Sequence, residues 1–134
     1  MTFLDTNILV YSVDPRDKDK QSVASTIVES AIGSSEFRIS AQVLFEFSNV
    51  CLRKFKFTPE RTIELLGDFD MIACLAQDAG LVRRTVEIKG SYGISIQDAM
   101  IVAAAEKSGC DELLTEDLND GQVYAGVRVR NPFK

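Results

Sequence analysis

Four carboxylates stand where they can do chemistry. Asp5 follows the apolar run Thr2-Phe3-Leu4, and Asp117 follows Glu112-Leu113-Leu114-Thr115. Glu46 lies in the first turns of the helix candidate after Phe37-Arg38-Ile39-Ser40, and Asp98 lies in the first turn of the one that begins near Ser95. Two acids therefore trail short strands and two open helices, so in a parallel sheet all four belong at one edge. Oxygen donors suit Mg²⁺ or Mn²⁺, and clustered carboxylates repel one another unless a cation sits among them. The chain has no histidine. That excludes a Ser-His-Asp triad, a Cys-His dyad, paired-histidine acid/base hydrolysis and histidine-liganded zinc. A hydrolase made from this sequence has to rest on carboxylates and a metal held by oxygen.

Each acid also has an ordinary structural reading. Asp5 suits a cap for the turn after it. Glu46 shares a helical face with Gln42, Asn49 and Arg53, opposite Leu44, Phe47 and Cys51, which fits a solvated polar face. Ser95 and Asp98 have the spacing of a capping box. Asp117 lies in Thr115-Glu116-Asp117-Leu118-Asn119-Asp120-Gly121, whose polar residues suit a turn. Asp98 resists dismissal most, because Ile101, Val102 and Ala105 share its side of the helix and an unpaired carboxylate facing a core is costly.

Other acidic or phosphate-binding devices fail on detail. The Asp14–Asp19 segment lacks the central glycine of a calcium loop and has Ser25 where the closing glutamate belongs, and Asp117–Gly121 places its Asp-Gly one residue early. No glycine-rich phosphate loop occurs. A receiver domain needs an acidic pair after the first strand, and an Asp-x-Asp phosphatase a second aspartate; here Asp5 is followed by Thr6 and Asn7.

The elements that must position these acids alternate. Strands are expected at Thr2–Leu4, Phe37–Ser40, Glu112–Thr115 and Val127–Val129, with a short buried run at Met71–Leu75. Helical spacing covers Gln21–Ile32, Ala41–Phe55, a segment capped by Thr58-Pro59-Glu60, Asp78–Ile88 ending near Gly90, and Ser95–Ser108 stopped at Gly109. Ile8–Tyr11 suits one helical turn, Asp14–Lys20 a charged loop or helix start, and Asn119-Asp120-Gly121 a turn. Short strands alternating with longer helices imply right-handed βαβ units, a parallel sheet between helical layers, and function at the carboxyl ends of the strands.

Composition agrees. With 134 residues, 46% hydrophobic and 26% charged, the chain suits one soluble domain with a single core. Its net charge of −5 argues against a non-specific nucleic-acid coat; without the four acids above, the balance is close to neutral. Cys51, Cys74 and Cys110 are odd in number and far apart, as expected of reduced thiols. The first 13 residues lack the Lys or Arg of a signal peptide, and no apolar run suits a membrane helix, so a cytoplasmic protein is expected.

The sequence resembles the PIN-domain ribonucleases, in particular the VapC-type toxins of bacterial and archaeal toxin–antitoxin pairs. The resemblance rests on Phe3-Leu4-Asp5-Thr6-Asn7-Ile8-Leu9, Glu46 within Val43-Leu44-Phe45-Glu46-Phe47, Ile96-Gln97-Asp98-Ala99-Met100-Ile101, Leu114-Thr115-Glu116-Asp117-Leu118 and the tail Val127–Phe133. It covers essentially all of residues 1–134, as one nuclease domain. It implies a three-layer α/β/α fold with a mainly parallel central sheet, and endonucleolytic cleavage of single-stranded RNA regions. Asp5, Glu46, Asp98 and Asp117 become catalytic carboxylates holding one or two Mg²⁺ or Mn²⁺ ions. Such a site makes hydroxide available near neutral pH, and in-line attack leaves 5′-phosphate and 3′-hydroxyl ends. Asn7 and Thr115 match polar positions that support the aspartates; whether Glu116 or Asp120 joins the site is open.

Arg53, on the face of Glu46, is the first candidate for a phosphate contact, with Lys54, Lys56, Arg16, Lys18 and Lys20 nearby, although each also reads as a surface charge. The resemblance further implies a small antitoxin partner and a homodimer, with Phe55 and Phe57 in the core, at a dimer interface or in an antitoxin groove. The rival reading is a catalytically inactive PIN-like interaction or RNA-binding module.

Overall fold

A computed structural model describes all residues, Met1–Lys134. The elements run β1 (Thr2–Leu4), α1 (Thr6–Ser12), α2 (Lys18–Ile32), β2 (Phe37–Ser40), α3 (Ala41–Arg53), α4 (Pro59–Asp68), β3 (Ala73–Leu75), α5 (Ala79–Tyr92), α6 (Ile96–Lys107), β4 (Glu112–Leu114), β5 (Val123–Tyr124) and β6 (Val127–Arg130). The sheet order is β3-β2-β1-β4-β6-β5, parallel throughout except for β5, which runs antiparallel to β6. This is the expected α/β architecture with a mainly parallel sheet.

The order of crossovers distributes the helices. The connections from β1 to β2 and from β2 to β3 step one way across the sheet, and the connection from β3 to β4 steps back. With right-handed crossings, α1–α4 cover one face and α5–α6 the other. Packing agrees: α1 contacts α2 and α3, α3 contacts α4, and α5 contacts α6. The step back makes the gap between β1 and β4 the point where the strand order reverses, which is where ligands bind in such sheets.

The core is built from the inner strands, Phe3 and Leu4, Ile39, Leu113 and Leu114, Val129, and from α6. Helix α6 is buried nearly all round: Ala99 and Ile101 through Ala105 are at most 2% exposed. Its alanines let α5 approach on one side, where Leu81, Thr85 and Ile88 present a buried stripe at helical spacing, and the sheet on the other. Every helix begins with a side-chain cap: Asp5, Asp17, Ser40, Thr58, Asp78 and Ser95 each accept a backbone N–H of the first turn.

Three sequence expectations need correction. The Met71–Leu75 run is not buried as a whole: Ala73–Leu75 forms an edge strand, β3, in which Ala73 and Cys74 are exposed because nothing pairs beyond it, and just before it Ile72 is buried while Met71 is 72% exposed. Helix α5 passes through Gly90 and stops at Gly93, whose φ of 68° supplies the left-handed cap that ends a helix. Strand β5 was not expected: it is two residues long and returns to β6 through Ala125 and Gly126, with φ values of 51° and 81°, a tight turn lacking the usual Asn-Gly signal. No helix is long and apolar enough to cross a membrane, and all three cysteines are free.

Because α6 is enclosed on both sides, Ala104→Leu is expected to destabilise the fold by about 1–3 kcal/mol through overpacking. A fall in the urea midpoint without a change in the slope of the transition checks this.

Candidate metal centre

The site begins with backbone pairing. β1 and β4 are in parallel register with Leu4 opposite Leu114, and the Asp5 N–H donates to the Leu114 carbonyl at 3.1 Å. Asp5 and Thr115, 110 positions apart, thus leave the sheet side by side. The Thr115 hydroxyl donates to Asp5 Oδ2 at 2.7 Å and accepts from the Asp117 N–H at 3.1 Å and Asn7 Nδ2 at 3.2 Å. A hydroxyl has one proton and two lone pairs, so all its capacity is used in aligning Asp5 with Asp117.

Asp5 does cap α1, as its ordinary reading held: Oδ1 accepts the Thr6 N–H at 2.6 Å. Capping and site duty coexist because they occupy different oxygens. Asn7 donates to Asp117 Oδ2 at 3.1 Å as well as to Thr115, which fixes its amide orientation. Its own Oδ1 is buried without a partner.

Asp98 arrives on α6. Ser95 Oγ accepts the Asp98 N–H at 3.1 Å, the first half of a capping box. The Asp98 carboxylate does not return the second bond to the Ser95 N–H and stays with the pocket. Gln42 ties the two helices together by donating to the Gln97 carbonyl at 3.1 Å. The polar face expected to be solvated on α3 is therefore partly covered, with Gln42 only 8% exposed.

Carboxylate oxygens of Asp5, Asp98 and Asp117 lie within 4.8 Å of one another. Glu46 lines the same pocket beside this trio, with Oε1 accepting the Thr6 hydroxyl at 2.7 Å and Oε2 at 3.5 Å from Gln42 Nε2. Hard oxygen donors in a cluster of like charge suit a hard divalent cation. The pocket is also lined by Val10, Val50, Ile101, Tyr11 and Lys54.

Electrostatics follow from burial and crowding. Burial drives the Asp5 pKa up to about 7, against the bonds from Thr115 and Thr6 that favour the anion, and Asp117 and Glu46 push it further up. Burial also raises Asp98, again with Asp117 and Glu46 adding repulsion. Asp14, which also lines the pocket, is lowered because Arg16 donates to both its oxygens at 2.9 and 2.8 Å.

Not every expected residue reaches the pocket. Arg53 is exposed and does not line it, whereas Lys54 does. Arg16 is engaged by Asp14 and lies over the Phe55 ring at 5.2 Å. Lys18 and Lys56 are exposed, and Lys20 pairs with Glu116 at 2.9 Å. Glu116 therefore turns away from the trio, and so does Asp120, which accepts the Asn131 N–H at 2.8 Å. Phe55 and Phe57 pack half-buried against the core. Thr6, Asp14, Tyr11 and Gln42 were not singled out in the sequence. Only Gln42, one turn before Glu46, carried a signal.

A mainly parallel α/β fold with aspartates gathered at its strand-order reversal defines a class of acidic-pocket proteins. Within it, the sequence matches the PIN domain family profile over residues 2–124, and the chain belongs to that family. No match is found among curated proteins. Among solved structures, the chain is similar to a toxin–antitoxin complex from Klebsiella pneumoniae, at 23% identity and TM-score 0.70, covering 98% of each chain. It is also similar to VapC20 of Mycobacterium tuberculosis, described as a sarcin–ricin-loop-cleaving toxin, at 17% identity and TM-score 0.71, covering 96% of this chain and 99% of that one. VapBC-1 from nontypeable Haemophilus influenzae aligns at 18% identity and TM-score 0.66, over 99% and 98% of the two chains. Identities this low speak for a shared fold.

The Asp5 shift has a sign in stability. Its folded value of about 7 lies above the ordinary 3.8, so the folded chain holds a proton the unfolded chain has released. That contribution is complete below the ordinary value and lost as pH rises through about 7, and Asp98 acts in the same direction. The metal-free protein is expected to melt at a higher temperature near pH 5 than near pH 8, and Asp5→Asn to remove much of the difference. Circular-dichroism melts at the two pH values test this, and identical melting temperatures would contradict a buried, crowded Asp5.

Proposed function

We propose that this chain, residues 1–134 as a single nuclease domain, is a divalent-metal-dependent endoribonuclease and the toxin of a toxin–antitoxin pair. The observation that carries the reading is the Asp5, Asp98 and Asp117 trio, aligned by Thr115 and Asn7. PIN-family membership and the similarity to toxin structures support it.

On this reading Asp5, Asp98 and Asp117 hold Mg²⁺ or Mn²⁺. When bound, such an ion supplies Lewis acidity toward a phosphoryl oxygen and acidifies water. The protein's own groups do the rest. Thr115 and Asn7 hold the aspartates in place before any ion arrives, so little rearrangement opposes binding. Glu46 keeps Oε1 on Thr6 and offers Oε2 to the pocket, where a carboxylate can orient water or complete a ligand set. Lys54 is the cation on the pocket wall and takes the phosphate-contact role expected of Arg53. Val10, Val50 and Ile101 give an apolar wall beside the charges, which suits an unstacked base of single-stranded RNA. A small antitoxin and a second copy of the chain are the proposed protein partners. Phe45 and Ile63, exposed on the adjoining helices α3 and α4, offer apolar surface for such contacts.

The test is cleavage of an RNA panel by protein freed of copurifying partners, with Mn²⁺ or Mg²⁺. Asp98→Asn is expected to lose more than the roughly 10–100-fold typical of a residue that only supports a ligand. Products are expected to carry 5′-phosphate ends. Undiminished cleavage in EDTA or recovery of 2′,3′-cyclic phosphates would sink the proposal, and an inactive parent protein would favour a non-catalytic interaction module.

A further inference from the structure

The loop that carries Asp117 has a second anchor outside the aspartate trio. Glu116 Oε1 accepts the Tyr11 hydroxyl at 2.5 Å, and Oε2 accepts the Lys20 ammonium at 2.9 Å. Lys20 Nζ also donates to the Tyr11 oxygen at 3.3 Å, closing a three-membered cycle. The ammonium lies 4.7 Å from the Tyr11 ring centroid and 5.5 Å from that of Phe133, and the two rings meet edge to face at 5.1 Å.

An exposed ion pair is worth little, because water screens it and two long side chains must be ordered. This one differs. The Glu116 side chain is 22% exposed and that of Lys20 34%, with aromatic rings covering the ammonium. The carboxylate holds the Tyr11 proton firmly enough to raise the phenol above its ordinary range, and Lys20 is raised as well. The three residues come from α1, α2 and the segment after β4, so the cycle fixes that segment against both helices.

Asp117 needs such fixing. It is exposed, it lies beyond the end of β4, and its carboxylate is held by Asn7 alone at 3.1 Å. Along Thr115-Glu116-Asp117 the contacts alternate: Thr115 meets Asp5, Glu116 meets Tyr11 and Lys20, and Asp117 meets Asn7 on the pocket side. Holding Glu116 outward holds the next side chain inward.

We propose that the Lys20–Glu116–Tyr11 cycle is a positioning device for Asp117, through which Lys20 sets divalent-metal affinity without touching metal or RNA. This rests on the reading that the aspartate trio holds the ion. It gives Glu116 the role of an anchor, and it removes Lys20 from the candidates for phosphate contact.

Calorimetric titration of Mn²⁺ into the full chain tests the proposal, comparing the parent with Lys20→Met, Lys20→Arg, Tyr11→Phe and Asp117→Asn. Lys20→Met and Tyr11→Phe are expected to weaken Mn²⁺ binding roughly tenfold, as loss of a ligand-supporting contact does, while Lys20→Arg retains most of it. With RNA, Lys20→Met is expected to lower kcat and leave KM nearly unchanged; a lost phosphate contact would raise KM instead. Parent-like Mn²⁺ affinity in Lys20→Met, alongside loss in Asp117→Asn, would overturn the positioning role and leave the metal site standing. Parent-like affinity in Asp117→Asn would overturn the metal site and the proposal together. If Lys20→Met does not fold, as judged by circular dichroism, Tyr11→Phe, which removes one oxygen atom, decides the matter.

Discussion

The parallel pairing of β1 with β4 is the constraint on which the rest depends. It sets Leu4 beside Leu114 and so delivers Asp5 and Thr115 to the same point as both strands leave the sheet. Because one crossover set steps away from β1 in one direction and the next steps back, no helix crosses above this gap. The gap therefore opens into a pocket lined by residues of α1, α3, α6 and the segment after β4. A slip of one residue would turn Thr115 to the opposite face and separate it from Asp5. The buried Phe3, Leu4, Leu113 and Leu114 make that slip costly, so hydrophobic packing fixes the geometry of the polar site above it.

The polar site is then a problem of holding like charges together. Asp5 is 4% exposed and has Asp98 and Asp117 close by. One hydroxyl, that of Thr115, donates to the most buried acid and accepts the backbone of the next, and one amide, that of Asn7, spans Thr115 and Asp117. Two positive side chains are kept from the trio: Arg16 is occupied by Asp14 and Lys20 by Glu116, so neither neutralises the aspartates. The repulsion is left for a bound cation to relieve. Much of the chain's formal negative charge is this pocket rather than a generally acidic surface.

Much of this was legible in the sequence. The four acids trailing strands or opening helices and the α/β alternation follow from residue order and spacing, while Asn7 and Thr115 come from the family resemblance. What escaped depends on distance in space. Glu46 was grouped with the aspartates, but Thr6, invisible in any helical periodicity, occupies one of its oxygens. Arg53 was favoured over Lys54 because a wheel counts residues per turn and does not know where a helix ends. Glu116 is deflected by Tyr11 and Lys20, over a hundred and nearly a hundred positions away. Edge strands are the hardest elements to read: β3 carries no alternation because neither of its faces is covered well, and β5 is too short to have a pattern.

Those edge strands have their own consequence. A sheet closes on itself in a barrel, but an open sheet presents unpaired N–H and C=O groups at each end, and these can recruit foreign strands. Here the two ends are β3, three residues long, and β5, two residues long. So few backbone groups make a poor template for templated growth, although the residues around β3, from Met71 to Leu75, are uncharged. Brevity at these margins leaves little edge on which a foreign strand could add, and lengthening either edge would enlarge it.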